Sequence, residues 1–376
     1  MAGIYIHIPF CKQACTYCNF HFSTQLQNKQ AFLSAIKNEI NCNDSFIDRN
    51  AVIETIYFGG GTPSLLTTNE LEEILKTVYT QFKVSANAEI TLEANPDDIN
   101  SEVVANWIKI GINRLSVGIQ SFVEEELSWM NRAHNAKHAA DCIDIIQESG
   151  IHNFSVDLIF GGPLLSNEAL EKNIKIISSK NIPHISCYAL TVEEKTALHH
   201  FIKTKKSPPT NSEKQAEQFL MTMKLLSGLG YEQYEISNYA KPNMRSKHNS
   251  SYWQGKPYWG FGPAAHSFNG INNRRWNVSN NSIYINNWLT HQTAFEEEIL
   301  TETQKLNEYI MTALRTIEGI NLNEIKNQFG EEKSAIVLAQ SKKYETEGKL
   351  FINPYQIQLT TTGKLFADGI SAELFF

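Results

Sequence analysis

The chain reads as an α/β protein built on a parallel sheet, followed by a smaller C-terminal α+β unit that looks like a winged helix. Three observations predict this. Short apolar strands alternate with helix-period segments along the first part of the chain, a pattern that right-handed βαβ crossovers turn into a parallel sheet. Glycines and polar residues recur just after those strands, where such a sheet gathers ligands. From about residue 300 the pattern changes to helical stretches at 302–317, 321–328 and 331–347. Strands at 349–352 and 356–359 then flank Asn353-Pro354-Tyr355, and a last helix begins near Thr361.

The first strand is the alternating run Tyr5-Ile-His-Ile-Pro-Phe, which delivers Cys11, Cys15 and Cys18 in a tight loop. Phe32, Leu33, Ile36 and Ile40 recur at helical spacing and predict a helix over 29–41. The second strand, 53–58, turns through Gly59-Gly60-Gly61-Thr62-Pro63-Ser64 into a helix over 69–81 with Leu71, Ile74, Leu75 and Val78 on one face. Strand 89–93 precedes a helix at 101–110, strand 114–119 one at 135–149, and strand 154–160 one at 167–179. Strand 184–190 is followed by a helical region at 212–229. Periodicity alone allows either a barrel of these units or an open doubly wound sheet.

Size and composition bound the function. The 376 residues are enough for one large domain and a small one, with boundaries expected at 1–235, 236–299 for a connecting segment, and 300–376. Hydrophobic residues make up 42% and charged residues 19%, an ordinary mixture for a protein with a large core. A net charge of −7 argues against nucleic acid as a partner. The winged-helix-like unit fails as a DNA reader for the same reason, since residues 300–376 hold eight Lys/Arg against ten Asp/Glu. No apolar run approaches a membrane span and no signal-peptide pattern precedes the first strand, so a cytoplasmic location is expected. The remaining thiols, Cys42, Cys142 and Cys187, are widely spaced and read as buried thiols of a reducing compartment.

The three clustered thiols carry the chemistry. Thiolates three and two residues apart can hold three irons of a [4Fe–4S] cube, leaving the fourth iron open to a chelating small molecule. A closed Cys3His zinc site with His21 is the alternative.

The spacing Cys11-x3-Cys15-x2-Cys18, with Tyr17 before the last cysteine, resembles the signature of the radical S-adenosylmethionine (radical SAM) enzymes. That resemblance implies a partial (β/α)6 TIM-like barrel, a [4Fe–4S] cluster on the three cysteines, and SAM on the fourth iron. In that family one electron from the cluster breaks a carbon–sulfur bond of SAM to give a 5′-deoxyadenosyl radical. The Gly59–Gly61 turn matches the motif that receives the SAM amino group, with Gly60 and Gly61 as contacts and Thr62 and Pro63 fixing its exit. Glu93 is expected to bond a ribose hydroxyl or the SAM ammonium, with Asp97, Asp98 or Asn100 left as the helix cap. Gln120 suits a ribose or carboxylate, and the planar fork of Arg132 suits the SAM carboxylate. Asp157, inside an apolar strand, needs a partner; the resemblance makes it a SAM contact, adds Tyr5, and places the backbone at Ala189 against adenine.

Taken together, Tyr5-Ile-His-Ile-Pro-Phe-Cys, Leu-Glu93-Ala-Asn-Pro, Val-Gly-Ile-Gln120-Ser-Phe, Asn-Arg132-Ala-His and Asp157-Leu-Ile-Phe-Gly-Gly-Pro are similar to the oxygen-independent coproporphyrinogen III oxidase family, from about residue 4 to 270. Within it the heme-chaperone branch fits better than the oxidase branch. The oxidases carry a fourth cysteine where this chain has Phe20, and a long N-terminal extension where this chain has ten residues before Cys11. His248-Asn-Ser-Ser-Tyr252-Trp253 matches a motif of the chaperone branch, and Gly262-Pro-Ala-Ala-His266 follows it.

That branch implies heme as ligand and a heme-accepting respiratory protein as partner. A peripheral membrane contact is compatible with such delivery, and the chain is left as monomer or homodimer. Tyr and Trp faces bury a macrocycle and an imidazole reaches iron, so His248 and His266, with His21 and His7 behind them, are the candidate heme ligands. The competing reading makes them hydrogen-bonded core histidines.

Overall fold

In β1 (Ala2–Ile8) the side chains of Ile4, Ile6 and Ile8 are wholly buried, and Gly3, Tyr5 and His7 alternate with them. The same period of two runs through β2 (Ile53–Gly60), β3 (Val84–Ala94), β4 (Arg114–Gln120), β5 (Phe154–Phe160) and β6 (His184–Ala189). Ile56, Phe58, Leu92, Val117, Val156 and Ile185 join the apolar core on one face, which leaves Thr55, Tyr57, Glu93, Ser116, Asp157 and Ser186 on the other. A parallel sheet covered on both faces is normally apolar on both. Here the second face is polar because it lines a space for ligands. The computed structural model describes residues 2–42, 46–292 and 295–376.

The apolar face is covered by α1 (Lys29–Asn41), α2 (Thr68–Gln81), α3 (Ser101–Lys109), α5 (Ala136–Glu148), α6 (Asn167–Ser179) and α8 (Ser212–Gly228), while α4 (Glu124–Trp129) and α7 (Ala197–Lys203) bring Trp129 and Leu198 to a separate apolar cluster with Met130, Ile159 and Leu190 beside Tyr17. Local chemistry starts them. Thr67 and Glu70 form a reciprocal capping box on α2, and Asn100, Asn135, Ser166, Thr196 and Asn211 each accept a first-turn N–H. Asn100 thus takes the cap role left open among Asp97, Asp98 and Asn100.

Strands β1 to β6 pair in chain order and in parallel. Tyr57, Glu93, Ser116, Asp157 and Ser186, from β2 to β6, border a single cavity, so the sheet curls round it as an open barrel. Residues 232–299, which run from the expected barrel domain into the expected connecting segment, add strands to both edges. On the β6 side lie β7 (Glu232–Gln233) and β8 (Asn238–Ala240). After α9 (Lys247–Trp253), β9 (Tyr258–Phe261) pairs with β1 in parallel, and β10 (His266–Phe268), β11 (Asn273–Asn277) and β12 (Phe295–Ile299) continue antiparallel. Between the last two strands α10 (Asn281–Leu289) runs, and its Tyr284 reaches Glu39 of α1. That buried carboxylate accepts from Tyr284 Oη at 2.5 Å, Asn277 Nδ2 at 2.6 Å and the Gly262 N–H at 2.8 Å.

The C-terminal unit comprises α11 (Glu302–Leu314), β13 (Ile320–Asn321), α12 (Leu322–Phe329), α13 (Glu331–Thr346), β14 (Leu350–Ile352), β15 (Gln356–Leu359) and α14 (Ala367–Glu373). It has its own core around Leu306, Ile310, Ile325, Val337 and Ile357, and a three-stranded sheet ordered β13-β15-β14. The last helix starts at Ala367, behind a 3-10 turn at Gly363–Phe366, and not near Thr361. The Ile236 N–H bonds Arg315 O at 3.1 Å and the Ile317 N–H bonds Tyr234 O at 3.0 Å, seating the unit beside the barrel. No helix among the described residues is long and apolar enough to cross a membrane.

Candidate functional site

The cavity has a volume of about 1020 Å³ and lies at the C-terminal ends of the barrel strands. The loop after β1 brings Cys11, Cys15, Tyr17 and Cys18 to it. The ends of β2 to β6 bring Gly60, Gly61, Thr62, Glu93, Gln120, Asp157 and Ala189, and Arg132 enters between α4 and α5.

The residues between the cysteines hold their loop in place. Lys12 Nζ meets Asp97 at 2.7 Å and also pairs with Asp98. Gln13 Nε2 donates to Asn131 Oδ1 at 2.5 Å, and Asn131 Nδ2 donates to the Ala14 carbonyl at 2.7 Å. The Thr16 N–H reaches Met130 O at 3.1 Å while the Leu198 N–H reaches Thr16 O at 2.7 Å. Arg132 Nη1 lies 3.1 Å from Cys15 Sγ, and Thr62 Oγ1 donates to Cys11 Sγ at 3.4 Å. Burial raises the Cys11 thiol and pushes Cys18 up to about 11.

Three half-buried thiols in one loop, two of them met by Arg132 and Thr62, fit a soft metal body that would take them as thiolates. Among the described residues no three His, Cys, Asp or Glu side chains converge on one metal ion. His21 turns its Nε2 to Asn281 Oδ1 at 2.7 Å, away from the thiols, so the Cys3His zinc arrangement is not formed. Cys187 also borders the cavity, but it sits in β6, apart from the cysteine loop, and burial pushes its thiol up to about 12.

Beside the thiols the glycine turn is dictated by space. Gly60 has φ 107°, and a Cβ there would meet the His7 ring at 2.6 Å; one on Gly61 would meet Phe10 O at 2.7 Å and Ile8 O at 2.9 Å. The Gly60 N–H donates to Glu93 Oε2 at 3.2 Å and Tyr57 Oη to Glu93 Oε1 at 2.7 Å. Burial pushes the Glu93 carboxyl up to about 7, with Tyr57 opposing and the charge of Asp157 adding to it. Asp157 is pushed up to about 6 by burial, against a hydrogen bond from Ser186 and the charge of Arg114. Two buried carboxyls that are reluctant to ionise make a receptor for an ammonium or for hydroxyl donors. Gln120 stands at φ 68° where β4 breaks register with β5, a strained backbone that aims its amide into the cavity. Arg132 Nη2 is held by Asn95 Oδ1 at 2.8 Å and Gly118 O at 2.7 Å.

Five expected contacts are not brought to the cavity: Tyr5, His7, His21, His248 and His266. Tyr5 stands one layer back, its ring 6.2 Å from Tyr57 and its hydroxyl 3.1 Å from His7 Nδ1. His248 is a core histidine. Its Nδ1 bonds Thr55 Oγ1 at 2.8 Å, its Nε2 bonds Tyr252 Oη at 2.9 Å, and its ring stacks on Tyr57 at 4.9 Å. With burial holding it neutral at a pKa of about 3 and both nitrogens engaged, it has no lone pair for iron. Of its motif only Asn249 borders the cavity. His266 is exposed, outside the cavity, stacked on Trp276 at 5.5 Å. His7 gives Nε2 to the His21 carbonyl at 2.8 Å.

Comparison with known proteins fits this geometry. Residues 5–177 match the model of the radical SAM superfamily, and residues 300–366 match the HemN C-terminal domain. The heme chaperone HemW of Bacillus subtilis (strain 168) is 32% identical, over 98% of this chain and 98% of its own. HemW of Haemophilus influenzae is 31% identical over 99% of this chain and 97% of its own. The chain belongs to the HemW family of radical SAM proteins. In fold it is similar to the solved coproporphyrinogen III oxidase (HemN) from Escherichia coli, with a TM-score of 0.86 and 22% identity, covering 100% of this chain and 90% of that one.

Membership implies a [4Fe–4S] cluster and SAM. Cys11, Cys15 and Cys18 would hold the cluster, and the Gly60–Gly61 turn, Glu93, Gln120, Arg132 and Asp157 the nucleoside. When bound, the pair supplies one-electron chemistry at carbon. The chain's own part is to neutralise, orient and exclude water.

Sequence reasoning expects the C-terminal unit as a lid or partner surface over the open barrel but names none of its side chains at the cavity, and it missed Tyr57 and Asn95. Tyr57 could have been found, since it sits two residues before the glycine turn on the inward side of the β2 alternation.

Proposed function

We propose that this protein is a heme chaperone: it binds heme in the cavity of a radical SAM scaffold and passes it to an acceptor protein, a respiratory one being the natural recipient. The reading is supported by the cavity itself, which extends past the SAM groups to aromatic walls at Phe20, Tyr188 and Phe366. Such walls bury a macrocycle. A reducing cytoplasm suits the three thiols.

The coproporphyrinogen III oxidase reading is supported by one observation, that every residue expected to meet SAM except Tyr5 lines the cavity. Two measurements separate them. Anaerobically reconstituted protein titrated with hemin and with SAM should give stoichiometric heme binding, and the same protein with reductant, SAM and coproporphyrinogen III should form no vinyl product. Vinyl product without heme binding would establish the enzyme.

A further inference from the structure

The C-terminal unit carries three cations into the cavity: Arg315 at the end of α11, Lys349 before β14, and Lys364 in the 3-10 turn. They differ in how they are neutralised. Arg315 is ion-paired with Asp368, and Lys349 Nζ lies 2.6 Å from Glu347. Lys364 has no carboxylate within reach among the described residues; its ammonium donates to the neutral Gln233 Oε1 at 2.8 Å. Burial lowers its pKa. A half-buried ammonium served only by an amide lacks its counter-charge, and an anion in the cavity would supply it.

The surroundings say what kind of anion. Phe366 is 45% exposed beside it, with Lys349 Nζ 4.4 Å from the Phe366 ring centre. Phe20 and Tyr188, 67% and 42% exposed, border the same cavity. The barrel wall carries Glu93 and Asp157, whose ionisation burial opposes, and Arg132, whose guanidinium is already held by Asn95 Oδ1 and Gly118 O, so among the described residues it offers no free cation to a carboxylate. On the C-terminal side Arg315, Lys349 and Lys364 share the lining with Asp368 and Glu373, but Asp368 is taken up by Arg315 and Glu373 by Lys343, so Lys364 is the cation of the three left to face the cavity beside flat apolar surface. That is the complement of a planar macrocycle with carboxylates along one edge.

We propose that the C-terminal unit is the carboxylate-binding end of the heme site. Lys364, with Lys349 beside it, receives the propionate carboxylates of the porphyrin, and Phe20, Tyr188 and Phe366 cover its ring. This rests on the heme-chaperone reading and adds an orientation to it, propionates toward the C-terminal unit and away from the thiols.

The test compares hemin with hemin dimethyl ester, whose propionates carry no charge, on the reconstituted full chain. Wild type should bind hemin roughly ten-fold more tightly than the ester, the size expected of a partly desolvated charge contact. Lys364→Gln should remove most of that preference by weakening hemin alone, and Lys364→Arg should keep it, with iron content and SAM binding unchanged in both. Equal binding of the two compounds by wild type, or a preference undiminished in Lys364→Gln, would overturn the proposal and leave heme binding intact. No binding of either compound would remove the heme reading itself, and the proposal with it.

Discussion

The hydroxyl of Tyr57 donates to Glu93 Oε1 at 2.7 Å, an inward residue of β2 holding an inward residue of β3. The Glu93 carboxyl titrates near 7 in the folded chain against an ordinary 4.5. Between those values the folded state keeps a proton that the unfolded state has lost, so this group's contribution to stability falls as pH rises through the window. A bound ammonium reverses the preference and draws the proton off. SAM should therefore bind more tightly as pH rises through 7, with proton release seen calorimetrically in buffers of different ionisation enthalpy. Tyr57→Phe removes a donor and should move that midpoint up; Glu93→Gln should abolish the release. Binding that is flat from pH 6 to 8 would exclude Glu93 as the ammonium's partner.

Replacing any one of Cys11, Cys15 or Cys18 by Ala should abolish iron retention and brown colour after anaerobic reconstitution. Cys142→Ala and Cys187→Ala should keep both, because Cys142 gives its thiol to the Ala139 carbonyl inside α5 and Cys187 sits in β6, so neither stands with the thiols of the loop after β1. Iron and sulfide analysis of the five variants decides the matter.

Much of the barrel was legible because its physics is local. Apolar alternation marked β1 to β6, and the cysteine spacing, the glycine turn and the strand-end Glu93, Gln120 and Asp157 lie within a few residues of the strands that position them. What escaped is long-range. Nothing near residue 258 reveals that β9 pairs with β1, since that pairing is made across the sheet edge. Nothing near Lys364 reveals that the C-terminal unit turns it into the cavity. His248 stood open between heme ligand and core histidine because an aromatic-rich segment with a histidine has the same composition whether it faces a macrocycle or plugs a barrel. The hydrogen bonds to Thr55 and Tyr252 that decide it join residues far apart in the chain and residues one helical turn apart.

His248→Ala should accordingly act on stability. It removes a buried ring, leaves Thr55 Oγ1 and Tyr252 Oη without that partner, and should cost about 2–4 kcal/mol in denaturant unfolding. The Soret band of the hemin complex should stay where it is in wild type. A shifted band at unchanged stability would return His248 to the iron.

Glu39 tests whether the added strands are part of one cooperative barrel. Its carboxylate is the common acceptor for Tyr284, Asn277 and the Gly262 N–H, so it joins α1 to β11, α10 and the segment after β9. Glu39→Ala strands three buried donors and should cost about 3–5 kcal/mol, the loss appearing as early amide exchange over residues 258–299. Glu39→Gln keeps the shape and part of the bonding and should cost less. It should also flatten a pH slope. Burial pushes Glu39 up to about 7 despite its donors, so in wild type the folded state binds the extra proton between 4.5 and 7 and this group's contribution falls as pH rises across that range. Glutamine cannot titrate, so the variant should lose the most relative to wild type at pH 5 and the least at pH 8. A constant gap between the two would mean that Glu39 is already ionised throughout, held so by its three donors.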